Sequence, residues 1–346
     1  MQKNAVVLLP SYQPEDTLVV LSKALVDLGY KVVVVDDGSG EQYKAIFDQV
    51  KSYVDLISYV PNKGKGHALK TGFKYILENY PNYECVITAD GDGQHRIMDI
   101  NRVYEKAIST HKTVIGERHF DVKVPLRSKI GNSLSKFTQA LTTYRYMKDN
   151  QCGLRAFPIS LLDRLLKIKG NRYEYEMRVL THLQMKEIPY LTLSVQTIYE
   201  DGNKTSHFRP IRDTILIQSS ILVCGLINLF MFALNVIGAA LLCKFVFNEQ
   251  LLSYELSVIV ASFATFLLHV LTNLIIFRPR YFLKAIVRLI LYELLILISC
   301  ILSVTLFCRI CNFEIYAAYL VCYPLIWVPL YYLIKGVGLV YSAQQE

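Results

Sequence analysis

Charge is what the second half of this chain lacks. No Lys, Arg, Asp or Glu occurs over residues 215–243, 256–277 or 315–334, and 285–307 carries only Arg288 and Glu293. Runs this long exclude the ordinary half-wetted helix of a globular domain, and each reaches the ~20 residues that cross a bilayer. Four membrane helices are expected, at about 219–243, 256–277, 285–307 and 315–337. A secretory leader pattern is also missing. Met1-Gln2-Lys3-Asn4 runs straight into a strand-like apolar stretch, so the charged half up to Asp213 is expected to stay in the cytosol. Arg278, Arg280, Lys284 and Arg288 cluster between the second and third apolar runs. The positive-inside rule puts that cluster on the same, cytoplasmic side. Arg288 and Glu293 read either as an end-of-helix pair or as a polar path for a lipid headgroup.

Other absences narrow the function. The net charge of +8 comes with no nucleic-acid-binding motif, so no nucleic-acid partner is expected and a basic face beside anionic lipid accounts for it. Six of the eight cysteines fall in the apolar half. Cys308 and Cys311 have CxxC spacing, but no second pair or histidine cluster follows, so they read as small apolar residues. The phosphate loop G-x-x-x-x-G-K-[ST] is missing, and Gly72 is misplaced for G-x-G-x-x-G. The turn at Gly64-Lys65-Gly66 opens a helix. It reads either as a diphosphate contact through backbone N–H groups and Lys65, or as a tight turn with a solvated lysine.

What is present in the first half is an alternation of short apolar runs with amphipathic stretches, the pattern of an α/β protein with a parallel sheet. Strands are expected over 5–9, 31–35, 55–60, 85–89 and 113–116, and helices over 15–28, 41–52, 66–79 and 100–110. In such sheets functional groups gather beyond the carboxyl ends of the strands. Polar clusters stand there: Pro10-Ser11-Tyr12-Gln13-Pro14, Asp36-Asp37-Gly38-Ser39, Asn62 to His67, and Asp90-Gly91-Asp92-Gly93-Gln94-His95. Asp90 and Asp92, spaced i, i+2 at a strand end, can both turn toward one divalent cation, with Gln94 as a neutral oxygen ligand. Hard oxygen donors suit Mg²⁺ or Mn²⁺ shared with a phosphorylated substrate. An EF-hand is excluded, because its twelfth position is Asn101 where a bidentate glutamate is needed. The competing reading is that the two aspartates cap the helix near Asp99.

LLPSYQPEDTL, VVVDDGSG, NKGKGHALKTGF, ITADGDGQH, IGERHF and CGLRAF occur in an order that resembles glycosyltransferase family 2, and more narrowly its polyprenyl-phosphate sugar transferases of the dolichyl-phosphate mannose synthase type. The resemblance spans about residues 4–210, and the apolar half is similar to a GtrA-like four-helix membrane domain. It implies a GT-A fold for a cytosolic domain, 1–210, followed by a membrane domain, 211–346. It further implies a UDP- or GDP-linked sugar donor, a divalent cation and a polyprenyl phosphate acceptor at a bilayer, expected in a bacterial cell membrane. Homo-oligomerisation is left open. Arg96-Ile97-Met98 stands where the family often has proline, and Ser11 and Gln13-Pro14 stand where threonine and asparagine-glutamate are common. These departures bear on nucleobase preference.

By this resemblance Pro10, Ser11, Tyr12 and Asp37 line the nucleobase and ribose site, with Asp36 helping or closing the sheet. Lys65 and Gly91 belong to the donor site, and Asp90, Asp92 and Gln94 hold the cation against the diphosphate. Arg118 and Arg127 suit bidentate phosphate contacts, with a surface ion pair as the alternative. Lys204, Ser206, His207 and Arg209, just before the first apolar run, match the acceptor side, with a lipid-facing basic patch as the alternative. A phosphate acceptor is already anionic near neutral pH, with a second pKa of about 6, and needs no general base. A hydroxyl acceptor on a lipid-linked glycan would need one, and Asp149 is then the candidate. Glu174 and Glu176 fit a helix start equally well. A processive synthase would need Q-x-x-R-W, whereas the single tryptophan is Trp327 in the last apolar run. A lipid-linked-sugar transporter or scaffold with an inactive transferase domain is the non-enzymatic alternative.

Overall fold

The computed structural model describes residues 2–119, 147–186, 188–196, 230–247 and 253–277, with scattered helical positions elsewhere. The first half builds β1 (Ala5–Ser11), α1 (Thr17–Asp27), β2 (Lys31–Asp36), α2 (Lys44–Val50), β3 (Asp55–Ser58), α3 (Lys65–Asn79), β4 (Cys85–Thr88), α4 (Ile97–Thr110), β5 (Thr113–His119), β6 (Arg155–Pro158), α5 (Leu162–Leu166), α6 (Glu174–Met185) and β7 (Tyr190–Gln196). Seven strands form one sheet in the order β3-β2-β1-β4-β6-β5-β7. β1 pairs in parallel with β2 and β4, β2 with β3, and β5 with β7. β6 runs antiparallel to both β4 and β5.

β1 and β2 are continuous apolar runs because both faces of the sheet are covered, as expected for parallel strands between helices. The period of two sorts their residues. Val7, Leu9, Val32, Val34 and Ile87 pack with Leu18, Leu21 and Leu25 of α1 and with Ile100 and Val103 of α4. Val6, Leu8, Val33, Val35 and Val86 pack with Leu69, Phe73 and Ile76 of α3 and with Tyr175 and Leu180 of α6. All five expected strands and four expected helices are present, so the expected α/β class is observed. The sheet is mixed rather than parallel throughout, since β6 inserts between β4 and β5. The helix expected from 100 begins at Ile97.

In the second half, residues 230–241 and Ser253–Phe277 are helical. Asn235 Nδ2 donates to Ser262 Oγ at 3.0 Å and to Thr265 Oγ1 at 3.1 Å, joining the two. The expected spans 285–307 and 315–337 are described only at scattered helical positions, and the first part of 219–243, Arg288, Glu293, Cys308 and Cys311 lie outside the described residues.

Candidate functional site

The carboxyl ends of β1, β2 and β4 lie side by side, and the loops that leave them are tied together. Asp37 N–H donates to Ser11 O at 2.8 Å, Gln13 N–H donates to Ser39 Oγ at 2.8 Å, and Asp36 Oδ1 accepts from Ser39 N–H at 2.9 Å. Asp36 thus closes the turn after β2. Asp37 is buried, and its carboxylate accepts from Tyr59 OH at 2.8 Å, Asn62 Nδ2 at 2.9 Å, Lys63 N–H at 2.9 Å and Gly64 N–H at 2.8 Å. The expectation that Asp37 lines the nucleobase and ribose pocket is therefore revised. Its acceptor capacity goes to anchoring the β3–α3 loop. That loop delivers Gly64, whose φ of +102° and whose approach to Asn171 O leave no room for a Cβ, and then Lys65 at the first position of α3.

Lys65 enters the loop after β4. Its ammonium lies 2.6 Å from Asp90 Oδ1 and 2.9 Å from Glu176 Oε2, with 18% of the side chain exposed. Burial works against the ammonium's charge, but Asp90 and Glu176 together hold Lys65 protonated well above its ordinary range. For Asp90, burial opposes ionisation, and Lys65 with His95 more than offsets it, so Asp90 stays ionised far below the usual carboxylate range. Asp92 shifts the other way: burial raises it, and the neighbouring charge of Asp90 raises it further. Asp92 Oδ1 accepts from Gln94 N–H at 3.1 Å.

The wall of this pocket explains the CGLRAF motif. Thr88 Oγ1 donates to Gly153 O at 2.9 Å, seating Gly153 against the Asp90 carboxylate, where a Cβ would lie 2.6 Å from Asp90 Oδ2. The buried Arg155 donates from Nε to Cys152 O at 2.9 Å and from Nη1 to Glu176 O at 2.8 Å, which fixes the start of α6 against the same wall. Glu174 is a helix-start residue, since its Oε1 accepts from Asn171 and Arg172 N–H groups. Glu176, two positions on, faces Lys65. Spacing alone gave no signal that separated the two.

The helix-cap reading of the two aspartates does not fit the geometry. α4 begins after Arg96 with no side-chain cap. Asp99 instead accepts from Arg102 Nη1 at 2.8 Å and from Gln196 N–H at 3.0 Å, joining α4 to the end of β7. Asn101, the twelfth position of the rejected EF-hand, accepts from Lys3 Nζ at 2.5 Å and Tyr30 OH at 3.0 Å, away from the loop.

Two observations bear on whether these residues fit a divalent cation. Burial, and after it the charge of Asp90, both push Asp92 up, and a dication beside the two carboxylates would relieve this. Buried polar atoms also stand without partners beside them. His95 lies 3.5 Å from Asp90 Oδ2, and neither ring nitrogen has a hydrogen bond. Ser11 Oγ is likewise unpartnered and faces Gly91, where a Cβ would lie 2.5 Å from it. The residues fit. Among the described residues no group of three or more His, Cys, Asp or Glu side chains is placed to hold a metal ion.

Arg118 and Asp149 form a pair of their own. Nε and Nη2 of Arg118 donate to the Asp149 carboxylate at 2.6 and 3.0 Å, and the N–H groups of Arg118 and Gln151 donate to it at 3.1 and 3.0 Å. Burial alone would raise Asp149, and the Arg118 guanidinium more than offsets that, holding the carboxyl below its usual range. The ion-pair alternative for Arg118 is thus realised, buried rather than on the surface. Asp149 serves it as counter-ion, which revises its candidacy as a base. Arg127, Lys204, Ser206, His207 and Arg209 lie outside the described residues.

The sequence profile described as "Glycosyl transferase family 2" matches residues 6–166. An uncharacterized protein of Methanocaldococcus jannaschii is 33% identical over 207 residues, covering 56% of this chain and 82% of that protein. The protein named UDP-N-acetylglucosamine–dolichyl-phosphate N-acetylglucosaminyltransferase of Methanococcus voltae is 29% identical over 216 residues, covering 56% of this chain and 85% of its own length. Dolichyl-phosphate beta-glucosyltransferase of Saccharomyces cerevisiae is 27% identical over 263 residues, with 63% and 75% covered.

Proposed function

This chain belongs to glycosyl transferase family 2, and we propose that it moves a sugar from a nucleoside-diphosphate donor to a polyprenyl phosphate at a bilayer surface, with a divalent cation in the donor site. The observation that carries the reading is the loop after β4, where Asp90 and Asp92 stand beside Lys65 and the unpartnered His95 at the carboxyl edge of the sheet. The names of the Methanococcus and Saccharomyces relatives, both dolichyl-phosphate transferases, support the acceptor class.

Asp90, Asp92 and Gln94 would hold the cation, and Lys65, 2.6 Å from Asp90, would reach the same phosphates. A divalent cation bound there offsets the charge that develops on the nucleoside-diphosphate leaving group. Ser11, at the end of β1, and Tyr12 after it would line the nucleoside side of the site. The acceptor phosphate brings its own anionic oxygen to the anomeric carbon, so the protein's task is alignment and exclusion of water. The state of Asp149 favours this over a hydroxyl acceptor. A carboxylate with a lowered pKa, bonded to Arg118 and to two backbone N–H groups, is a poor proton acceptor. Inversion at the anomeric carbon accords with direct attack.

The four apolar runs would anchor the transferase domain at the cytoplasmic face, with Lys204, Ser206, His207 and Arg209 placed to meet the lipid headgroup. The test offers labelled donor with either polyprenyl phosphate or the matching free polyprenol. Label entering only the phosphorylated lipid supports the reading, and equal labelling of the alcohol contradicts it.

A further inference from the structure

The Lys65 ammonium occupies one oxygen of the first aspartate in the candidate cation site, and a second carboxylate, Glu176, holds it from the other side. The other oxygen of Asp90 faces the unpartnered His95 ring. The frame around the ammonium is fixed. His67 N–H donates to Asn171 O at 2.9 Å, Lys70 Nζ donates to Asn171 Oδ1 at 2.8 Å, and Arg155 holds Glu176 O, so the starts of α3 and α6 are fastened together. An ammonium and a divalent cation on one carboxylate repel each other at close range. A diphosphate arriving beside them offers the ammonium an equally anionic partner.

We propose that Lys65 is the resident counter-ion of the cation site, leaving Asp90 for the donor diphosphate when cation and nucleotide bind, with Glu176 as the positioning residue that keeps it in the pocket. This inference rests on the reading of Asp90 and Asp92 as the donor-side cation site. It makes cation and nucleotide help each other through one side chain. The cation frees Lys65 from Asp90 for the diphosphate, and the diphosphate removes Lys65 from the cation's way. By linkage the two effects are equal. A lysine that acted only by its charge would change each affinity separately and leave their coupling untouched.

The experiment uses the full-length protein in detergent. Mn²⁺ binding is titrated by electron paramagnetic resonance with and without UDP or GDP, and nucleotide binding is titrated with and without Mn²⁺, correcting for the Mn²⁺–nucleotide complex in solution. Wild type, Lys65→Met and Glu176→Gln are compared. In Lys65→Met the Mn²⁺–nucleotide coupling factor is expected to fall about 5-fold or more, while Mn²⁺ alone binds more tightly. In Glu176→Gln, where Asp90 is left as the one carboxylate partner of Lys65, Mn²⁺ alone is expected to bind more weakly. A Lys65→Met coupling factor equal to wild type overturns the inference while leaving the function intact. Should Lys65→Met fail to fold, unchanged or tighter Mn²⁺ binding in Glu176→Gln overturns it. A wild type that binds neither Mn²⁺ nor either nucleotide overturns the proposed function and this inference with it.

Discussion

Asp37 and Asp90 both leave the carboxyl end of a parallel strand, yet their partners differ in kind. Asp37 accepts from the N–H and O–H groups of its own scaffold, whereas Asp90 is bound to an ammonium and faces an unpartnered ring. The first arrangement is structural and the second is open to exchange. Replacing Asp37 by Ala leaves Lys63 N–H, Gly64 N–H and Tyr59 OH without their acceptor, a loss of about 2 kcal/mol or more. It is expected to lower the melting temperature by roughly 4 °C or more, and an unchanged melting curve would contradict this role. The buried cysteines of the transferase domain, Cys85 at the start of β4 and Cys152 beside Gly153, are inert for a related reason. Burial pushes the thiols of Cys85 and Cys152 up to about 12, so neither forms appreciable thiolate at mildly alkaline pH. Mass spectrometry after iodoacetamide treatment should find both unmodified in the native protein and both modified after denaturation.

At the scale of elements, the site depends on β4 and the segment 147–154 being held together. Gly153→Ala would push a methyl group into the Asp90 carboxylate without touching the sheet core. Sugar transfer is expected to fall about 10- to 100-fold with the melting temperature nearly unchanged, and full activity would show that the contact is idle. The Arg118–Asp149 pair joins β5 to the same segment. Because the folded carboxyl is held below its usual range, its contribution is complete above the unfolded value of about 3.9 and is lost as the pH falls through the folded value. Asp149→Asn should therefore be less stable than wild type at neutral pH, with the gap narrowing on acidification. A gap that does not change with pH would contradict the assignment.

The expected strands and helices were legible because each is a single run of one period, apolar for the strands and amphipathic for the helices. β6 was not, since Arg155–Pro158 is four residues long and ends in proline, and its place is set by pairing with β4 and β5 rather than by its own pattern. The two aspartates after β4 were legible from spacing. The role of Glu176 was not, because a glutamate in the first turn of a helix satisfies the helix whether or not a lysine from α3 reaches it.

At the scale of the whole molecule, the proposal joins a charged α/β domain to a half with long uncharged runs. A chain anchored by those runs should remain in the membrane pellet through an alkaline carbonate wash. A thiol introduced by Arg280→Cys should be labelled from the same side as the transferase domain. Release of the chain into the wash would contradict the anchored arrangement. The central claim, transfer to a lipid phosphate by the loop after β4, has a more direct test. Purified protein, Mn²⁺ or Mg²⁺ and a short polyprenyl phosphate are mixed with a panel of radiolabelled UDP- and GDP-sugars, and label entering the lipid phase is counted for wild type and Asp92→Asn. The account predicts that at least one donor labels the lipid, that chelation stops it, and that Asp92→Asn abolishes it. Protein that binds nucleotide yet labels no lipid with any donor, or Asp92→Asn labelling as wild type does, would contradict it.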